Sequence, residues 1–262
     1  MAKRETTALR NQFYGEVEQN CEGVKILKLT TSKINGLFGV DDSWKAPDAL
    51  MKILFDRERR EKMFREFLKI ESDLSFDWFY MYFQDEAAER TKKKQDFTPA
   101  SISRLMSELT GKTHGTVYDC ACGTGGLTIQ KWWIDCMKET PLTYKPSEHF
   151  YWCEDLSDRA MPFLIFNLLI RGMNAVVIHC DVLTRKAKGV FFIQNDNDDC
   201  LQFSTLNVLP YTDFVAKELM VEWTDFRYPE HIESIEIPHH VAESVAYKYR
   251  VNGDKQFARA HI

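Results

Sequence analysis

The chain has 262 residues, 28% of them charged and 13% aromatic, with a formal net charge of −5. This composition suits one large globular domain or a main domain with a smaller attachment. The negative balance argues against a protein that coats nucleic acid through bulk electrostatics, although a local basic stripe is compatible with it. The opening MAKRETTALRNQF has no apolar h-region and eighteen apolar residues never run together, so the expectation is a cytoplasmic protein with no export signal and no membrane span. Seven cysteines, at 21, 120, 122, 136, 153, 180 and 200, include no C-x-x-C pair. Neither a zinc knuckle nor a disulfide framework is indicated; no metal is expected, and the thiols read as buried and free in a reducing compartment.

Residues 1 to 95 read as a helical region. From Pro47, PDALMKILFDRERREKMFREFLKI places Leu50, Ile53, Leu54, Met63, Phe64 and Phe67 near helical spacing, with DRERREK as a solvated face. The next stretch, SFDWFYMYFQDEAAERTKKKQ, begins aromatic and ends charged. Trp78, Phe79, Tyr80 and Phe83 are expected to bury against the following domain and to bring Lys92, Lys93 and Lys94 to its doorway.

Over 96–210 strands alternate with helices. GTVYDCA, EHFYWCEDL, NAVVIHCDVL and GVFFIQND read as four strands. LTIQKWWIDCMKE reads as a helix, and so does SDRAMPFLIFNLLIRG, with Ser157 or Asp158 as N-cap and Gly172 as its stop. That alternation predicts an α/β domain with a parallel sheet and right-handed crossovers. In 211–262 periodicity is weak. The segment is expected to complete the sheet, with one strand and one helix in IESIEIPHHVAESVAYKYRV.

Between the first strand and the first helix lies DCACGTGGL, residues 119–127, which has three glycines and nothing bulky before Leu127. Glycine tolerates positive φ and admits a ligand onto the backbone, beside the unpaired N–H groups of a helix N-terminus. A P-loop does not fit: GKT occurs at 111–113, but Met106 stands where its first glycine belongs. A dinucleotide fingerprint fits Gly123 and Gly125 but meets Thr128 at the third position. S-adenosylmethionine fits better. Asp119 would take its cationic amino group, Gly123 and Gly125 would admit the methionine and ribose portion, Glu154 would accept the ribose hydroxyls, and Asp181 would meet the adenine edge. All three acids fall at carboxyl ends of strands, where open α/β sheets bind ligands. A packed glycine turn with surface acids would not need them in register.

QDFTPASISRLMSEL followed by TVYDCACGTGGL is similar to the N-6 adenine-specific DNA methylases, in particular the modification subunits of type I restriction–modification systems. CEDLSDRAMPFLIFNLLIRGMNAVVIHCDVL resembles the next stretch of that family, so the likeness covers residues 92–183. It implies a Rossmann-like class I methyltransferase fold behind an N-terminal helical region, with S-adenosylmethionine as cofactor and N6-adenine methylation of DNA as the reaction. Phe97, Thr98 and Pro99 match the element that packs over the methionine moiety. The implied cofactor set adds Asp119, the loop residues Cys122, Gly123, Thr124, Gly125 and Gly126, the pair Glu154 and Asp155, and the pair Asp181 and Val182.

One family element is not matched. Such enzymes hold the target amine with an Asn-Pro-Pro-Phe or Asp-Pro-Pro-Tyr turn after the fourth strand, and its aromatic stacks on the flipped base. No Pro-Pro pair occurs in this chain. If GVFFIQNDND is that strand and turn, Asn195 is the catalytic asparagine, and Asp196, Asn197 and Asp198 replace Pro, Pro and Phe. A stacking surface worth about 1–3 kcal/mol is then missing, and Asp196, Asp198 and Asp199 would repel a DNA backbone. With 67 residues after Asn195, DNA is expected to be reached through a separate specificity subunit. The alternative is a catalytically degenerate relative, a cofactor-binding regulator or partner of a restriction–modification system or mobile element. Methylation of a small molecule or protein would keep the cofactor and drop DNA.

Overall fold

The computed structural model describes residues 29–80, 82, 102, 105–106, 114–139 and 143–242. The chain divides into two compact units, 1–97 and 98–262.

Among the described residues, the named elements of the first unit are three α-helices and a short 3-10 turn at Ser43–Lys45. In α1 (Thr31–Phe38), Thr30 caps the Lys33 N–H and Gly39 closes the end in the left-handed conformation, φ 71°. α2 (Ala46–Leu54) has Pro47 in its first turn, where a missing N–H costs nothing. In α3 (Arg57–Ile70), Asp56 accepts the Arg59 N–H at 3.1 Å. Leu50, Ile53, Leu54, Met63, Phe64 and Phe67 are all buried, as their spacing requires. The charged run is solvated except at Arg60, which is fully buried and donates to the Leu54 carbonyl at 2.5 Å, capping the end of α2. Trp78 and Phe79 pack inside this unit. Phe67 lies 4.8 Å from Trp78 and 5.8 Å from Phe79 between ring centroids, and the Tyr82 hydroxyl donates to Asn35 Oδ1 at 2.6 Å. These aromatics therefore build the core of their own helices, where docking on the next domain was expected. Phe83, Lys92–Lys94 and Phe97, Thr98 and Pro99 lie outside the described residues.

The second unit runs β1 (Gly115–Asp119), α4 (Gly126–Lys138), β2 (His149–Asp155), α5 (Met161–Ile170), β3 (Ala175–Cys180), β4 (Lys186–Gln194), β5 (Thr205–Val208), α6 (Asp213–Glu218) and β6 (Glu222–Trp223). The sheet order is β1-β2-β3-β4-β5, with β6 also on β4. β1, β2 and β3 are parallel, with α4 and α5 as the crossovers. The fourth strand corrects the expected pattern, because β4 runs antiparallel to β3 and to β5. Only residues 181–185 separate β3 from β4, and a parallel return needs a dozen or more.

α5 is apolar on every side, and all ten of its residues are buried. It is a core helix. Pro162 sits in its first turn, Ser157 Oγ accepts the Ala160 N–H just before it, and Gly172 follows its end at φ 64°. Phe150 and Trp152 join Val176, Ile178, Val190, Leu219 and Val221 in a core cluster on one face of the sheet. By the alternation of a strand, Cys153 and Asp155 point to the other face. In the last segment β6 adds to the sheet, Ile232 makes an isolated bridge to Asn207, and residues 239–242 are helical.

The sheet thus presents two different ends. Asp119, Asp155 and Cys180 finish their strands at one. Gly115, His149 and Ala175 begin theirs at the other, and the reversed β4 delivers Gln194 and Asn195 there too.

Candidate functional site

The glycine loop turns the chain from β1 into α4. Gly123 (φ 55°) and Gly125 (φ 97°) adopt the left-handed conformation, and the Gly125 N–H returns to the Cys122 carbonyl at 2.7 Å. Neighbouring elements fix the loop. Cys122 donates through both its N–H and its thiol to the Glu154 carbonyl, each at 3.1 Å. The Gly123 N–H donates to Asp155 Oδ2 at 2.7 Å, and Asn167 Nδ2 of α5 donates to the Thr124 carbonyl at 2.8 Å. The last two glycines differ. A Cβ at Gly125 would lie 3.0 Å from Leu164 Cδ1, whereas at Gly126 none of the described residues stands within 4 Å. Packing accounts for Gly125 and leaves the absence of a side chain at Gly126 unexplained.

Asp119 sits half-buried beside this loop. Oδ1 accepts the Ala121 N–H at 3.3 Å and Oδ2 the Thr128 hydroxyl at 3.2 Å. Among the described residues that engages two of the roughly four acceptor positions of a carboxylate. Burial raises its pKa above the ordinary value, these two hydrogen bonds oppose the rise, and the Asp155 charge adds to it. An acid so under-compensated favours a cationic partner.

Glu154 and Asp155 face opposite ways. Asp155 shares the glycine-loop face and is engaged by Gly123 and by the Ser157 N–H at 2.8 Å. Glu154 is buried, 1% exposed, with every acceptor position taken. Trp152 Nε1 donates to Oε1 at 2.8 Å, Arg185 Nη1 to Oε2 at 2.5 Å and Nη2 to Oε1 at 3.2 Å, and the Cys180 thiol lies 3.8 Å from Oε2. Burial first, then the Glu154 charge, pushes that thiol up to about 12. Arg185 itself holds a left-handed backbone, φ 58°, and donates to the carbonyls of Met220 and Leu219. It was missed in the sequence; its only signal was a cation in the connection between two apolar strands. Asp181, at the end of β3, accepts the Leu183 N–H at 2.9 Å and closes that connection; hydrogen bonding with Thr184 lowers its pKa. Val182 beside it is half-buried.

Asn195 is not brought to this end. It is 1% exposed among the amino ends of the strands, and its N–H donates to Asn174 Oδ1 at 2.7 Å. Its amide donates to the Gly172 and Asp199 carbonyls at 3.0 and 2.8 Å and accepts the Asp199 N–H at 3.0 Å, and its carbonyl accepts from His240 Nε2 at 2.9 Å. The antiparallel run of β4 is the cause. The neighbouring acids are likewise turn-formers. Asp198 accepts from the Ser147 N–H and hydroxyl, both at 2.8 Å, Asp196 from Ser234 Oγ at 3.0 Å, and Asp199 from the Leu201 N–H at 2.9 Å. They bear on the β4–β5 connection, not on the crevice. Of the thiols, Cys120 is exposed and Cys122, Cys136, Cys153, Cys180 and Cys200 are buried.

Residues 72–201 match the family model described as N-6 DNA Methylase. This chain belongs, through that stretch, to the N-6 DNA methylase family. The match takes in the glycine loop, β2, α5, β3 and β4 and ends before β5. No curated protein and no solved structure matches the chain. Membership gives a DNA methylase-like function in a family that generally depends on S-adenosylmethionine. Among the described residues no helix is long and apolar enough to cross a membrane.

Proposed function

We propose that this N-6 DNA methylase relative binds S-adenosylmethionine at the carboxyl ends of β1–β3 and serves a DNA adenine methylation system as its cofactor-binding component. The under-compensated Asp119 carboxylate beside an open Gly126 carries the reading. When bound, the cofactor supplies a sulfonium methyl to an incoming nucleophile. Asp119 holds the amino group through a charge-assisted hydrogen bond. Gly123, Gly125 and Gly126 let the ligand lie on the backbone at the start of α4, and Asp181 faces the far end. Glu154 joins the site by releasing Arg185, whose side chain is 27% exposed and would exchange its bonds to Glu154 for water.

The second reading is a self-sufficient N6-adenine methyltransferase of the modification-subunit type. The position of Asn195 disfavours it, because a flipped base must be aimed within fractions of an ångström at the same end as the methyl donor. The experiment is calorimetry of the full chain with S-adenosylmethionine, followed by transfer of labelled methyl to unmethylated duplex DNA with and without a specificity subunit. Micromolar binding with near-background transfer by the chain alone is expected. No heat at millimolar ligand would end the cofactor reading, and brisk transfer by the chain alone would end its assignment as a component.

A further inference from the structure

At the amino ends of β1 and β2, three side chains distant in sequence converge. His114 immediately precedes β1, His149 opens β2 opposite Gly115, and Glu139 follows the last turn of α4. Glu139 Oε1 lies 3.7 Å from His114 Nδ1 and 3.7 Å from His149 Nε2. One ligand atom from each of the three falls within 4.8 Å of the others. The His149 side chain is only 3% exposed. Among the described residues its Nε2 and Glu139 Oε1 are both buried without a hydrogen-bond partner, and they face one another at a distance too long for a hydrogen bond.

We propose that His114, Glu139 and His149 bind a divalent transition-metal ion, zinc by the chemistry of the donors. Two imidazoles and a carboxylate make a nitrogen–oxygen set that suits zinc. Bonds of about 2.0–2.1 Å to a tetrahedral ion place its ligand atoms about 3.4 Å apart. The two Glu139 distances then need a few tenths of an ångström of closure, and the two imidazoles, within 4.8 Å of one another, need the exposed His114 side chain to swing inward by up to about an ångström more. Behind His149, Asp135 Oδ2 lies 3.8 Å from Nδ1, and Lys131 holds that carboxylate in a buried ion pair. At that distance the carboxylate is not hydrogen-bonded to the ring, but it stands on the side from which a carboxylate orients an imidazole toward a metal. Tyr144 stacks on the same ring at 4.8 Å between centroids and 18° between planes. Glu148 Oε2, 3.0 Å from His114 Nδ1, is at hand for the fourth position. The carbonyl end of α4 adds a partial negative charge.

A surface ion pair of His114 with Glu148 next to a neutral core histidine would account for His114 alone. It leaves the two facing buried atoms without a purpose. The ion satisfies both, and it staples the end of α4 to the starts of β1 and β2 beneath the glycine loop. A search for cysteine pairs has no access to this set, because 25 and 10 residues separate its successive members in the order His114, Glu139, His149.

The test uses the full chain stripped of metal by chelation and titrated with zinc and with cobalt(II). One equivalent is expected, with cobalt giving visible ligand-field bands without thiolate charge transfer, and zinc raising Tm. Glu139→Gln, which keeps the side chain's shape, and His114→Ala, at a half-exposed position, should keep the metal-free Tm and weaken binding by on the order of 100-fold, the upper range for loss of even an outer-shell partner. His149→Gln should do the same if it folds, and the other two decide if it does not. Absence of binding tighter than millimolar, a thiolate signature, or unchanged affinity in Glu139→Gln and His114→Ala would each overturn the proposal.

Discussion

The two ends of the central sheet carry polar residues in opposite states. At the carboxyl end, Asp119 keeps acceptor capacity in hand and Gly126 stands open, so the local structure is complete without using them. At the amino end, the Asn195 side chain donates twice and accepts once, its N–H and carbonyl are also bonded, and its removal would leave partners stranded. A buried polar side chain whose bonds are all internal is holding the fold, while one left under-compensated is holding a place for something else. That criterion supports the crevice as the proposed ligand site and makes Asn195 a bracket between α5, β3 and the β4–β5 turn. At the amino end His149 Nε2, Glu139 Oε1 and Asn174 Nδ2 are exceptions, and it is the facing of the first two that makes their cluster read as a second site.

The sharpest way to break the contrast is Asn195→Ala. Losing three side-chain hydrogen bonds in a buried setting should cost about 2–4 kcal/mol of stability, while affinity for S-adenosylmethionine stays within about twofold by the independence of distant sites. Denaturant melts with calorimetry on the same samples measure both. A stable Asn195→Ala protein that had lost a measurable methyl-transfer activity would return this asparagine to the chemistry.

Arg185→Ala comes next. It strands the buried Glu154, and because Arg185 is partly exposed the expected cost is about 2–3 kcal/mol, at or below the lower end for a broken buried pair. If the pair must open for Glu154 to meet the cofactor, its removal should tighten binding about threefold to tenfold by deleting the cost of opening. Unchanged affinity in Arg185→Ala would make Glu154 a structural acid alone.

Asp119→Asn removes the charge and keeps the shape. Loss of a charge-assisted contact of about 1.5–3 kcal/mol predicts roughly 10- to 150-fold weaker cofactor binding. The wild-type pH profile should share the cause. Burial raises the Asp119 pKa above 3.8, so affinity should begin to fall, on acidification, at a higher pH than for an ordinary aspartate. The stability contribution has the opposite sign. A carboxyl with a raised folded-state pKa stabilises the fold below its unfolded value and loses that contribution as pH rises through the folded one. The difference between wild type and Asp119→Asn, in affinity and in Tm across pH, should therefore slope in opposite directions.

Much of this was legible in the sequence where local pattern governs. The six apolar positions of α2 and α3, the wholly buried α5, apolar but for Asn167, with Gly172 behind it, and the turn from β1 into α4 follow from spacing and from glycine. The family likeness drawn from FTP and DCACGTGGL agrees with the match over residues 72–201. What escaped depends on direction and distance. The residues between β3 and β4 were countable, and their shortness already excluded a parallel return; weighing it would have moved Asn195 to the far end. The faces of Glu154 and Asp155 follow from strand alternation once the strand is fixed. The Arg185 pair and the His114, Glu139 and His149 cluster need three-dimensional closure of elements that share no sequence signal. The first turn of α3 likewise hid Arg60, whose burial depends on reaching one carbonyl of α2.

Gly126→Ala has the smallest expected effect on the fold and separates the two readings of the loop most cleanly. Gly126 begins α4, its φ is not positive, and an added Cβ would meet nothing within 4 Å. Alanine is the better helix former, so the free protein should be unchanged or more stable by up to about 1 kcal/mol. Gly125→Ala is the control. Its φ of 97° and the Leu164 methyl 3.0 Å from the added Cβ strain both states, so stability should fall by about 1–3 kcal/mol whatever the loop does. A loop that serves only to pack predicts that Gly126→Ala is silent in every assay. A loop on which the cofactor lies predicts a protein as stable as wild type with weaker binding, because the methyl occupies the space the ligand needs. Thermal melts with and without S-adenosylmethionine read the two outcomes on one plate. The cofactor-dependent rise in Tm should shrink in Gly126→Ala while the free Tm holds, and a full-sized rise would leave the open face of this glycine without a ligand to explain it.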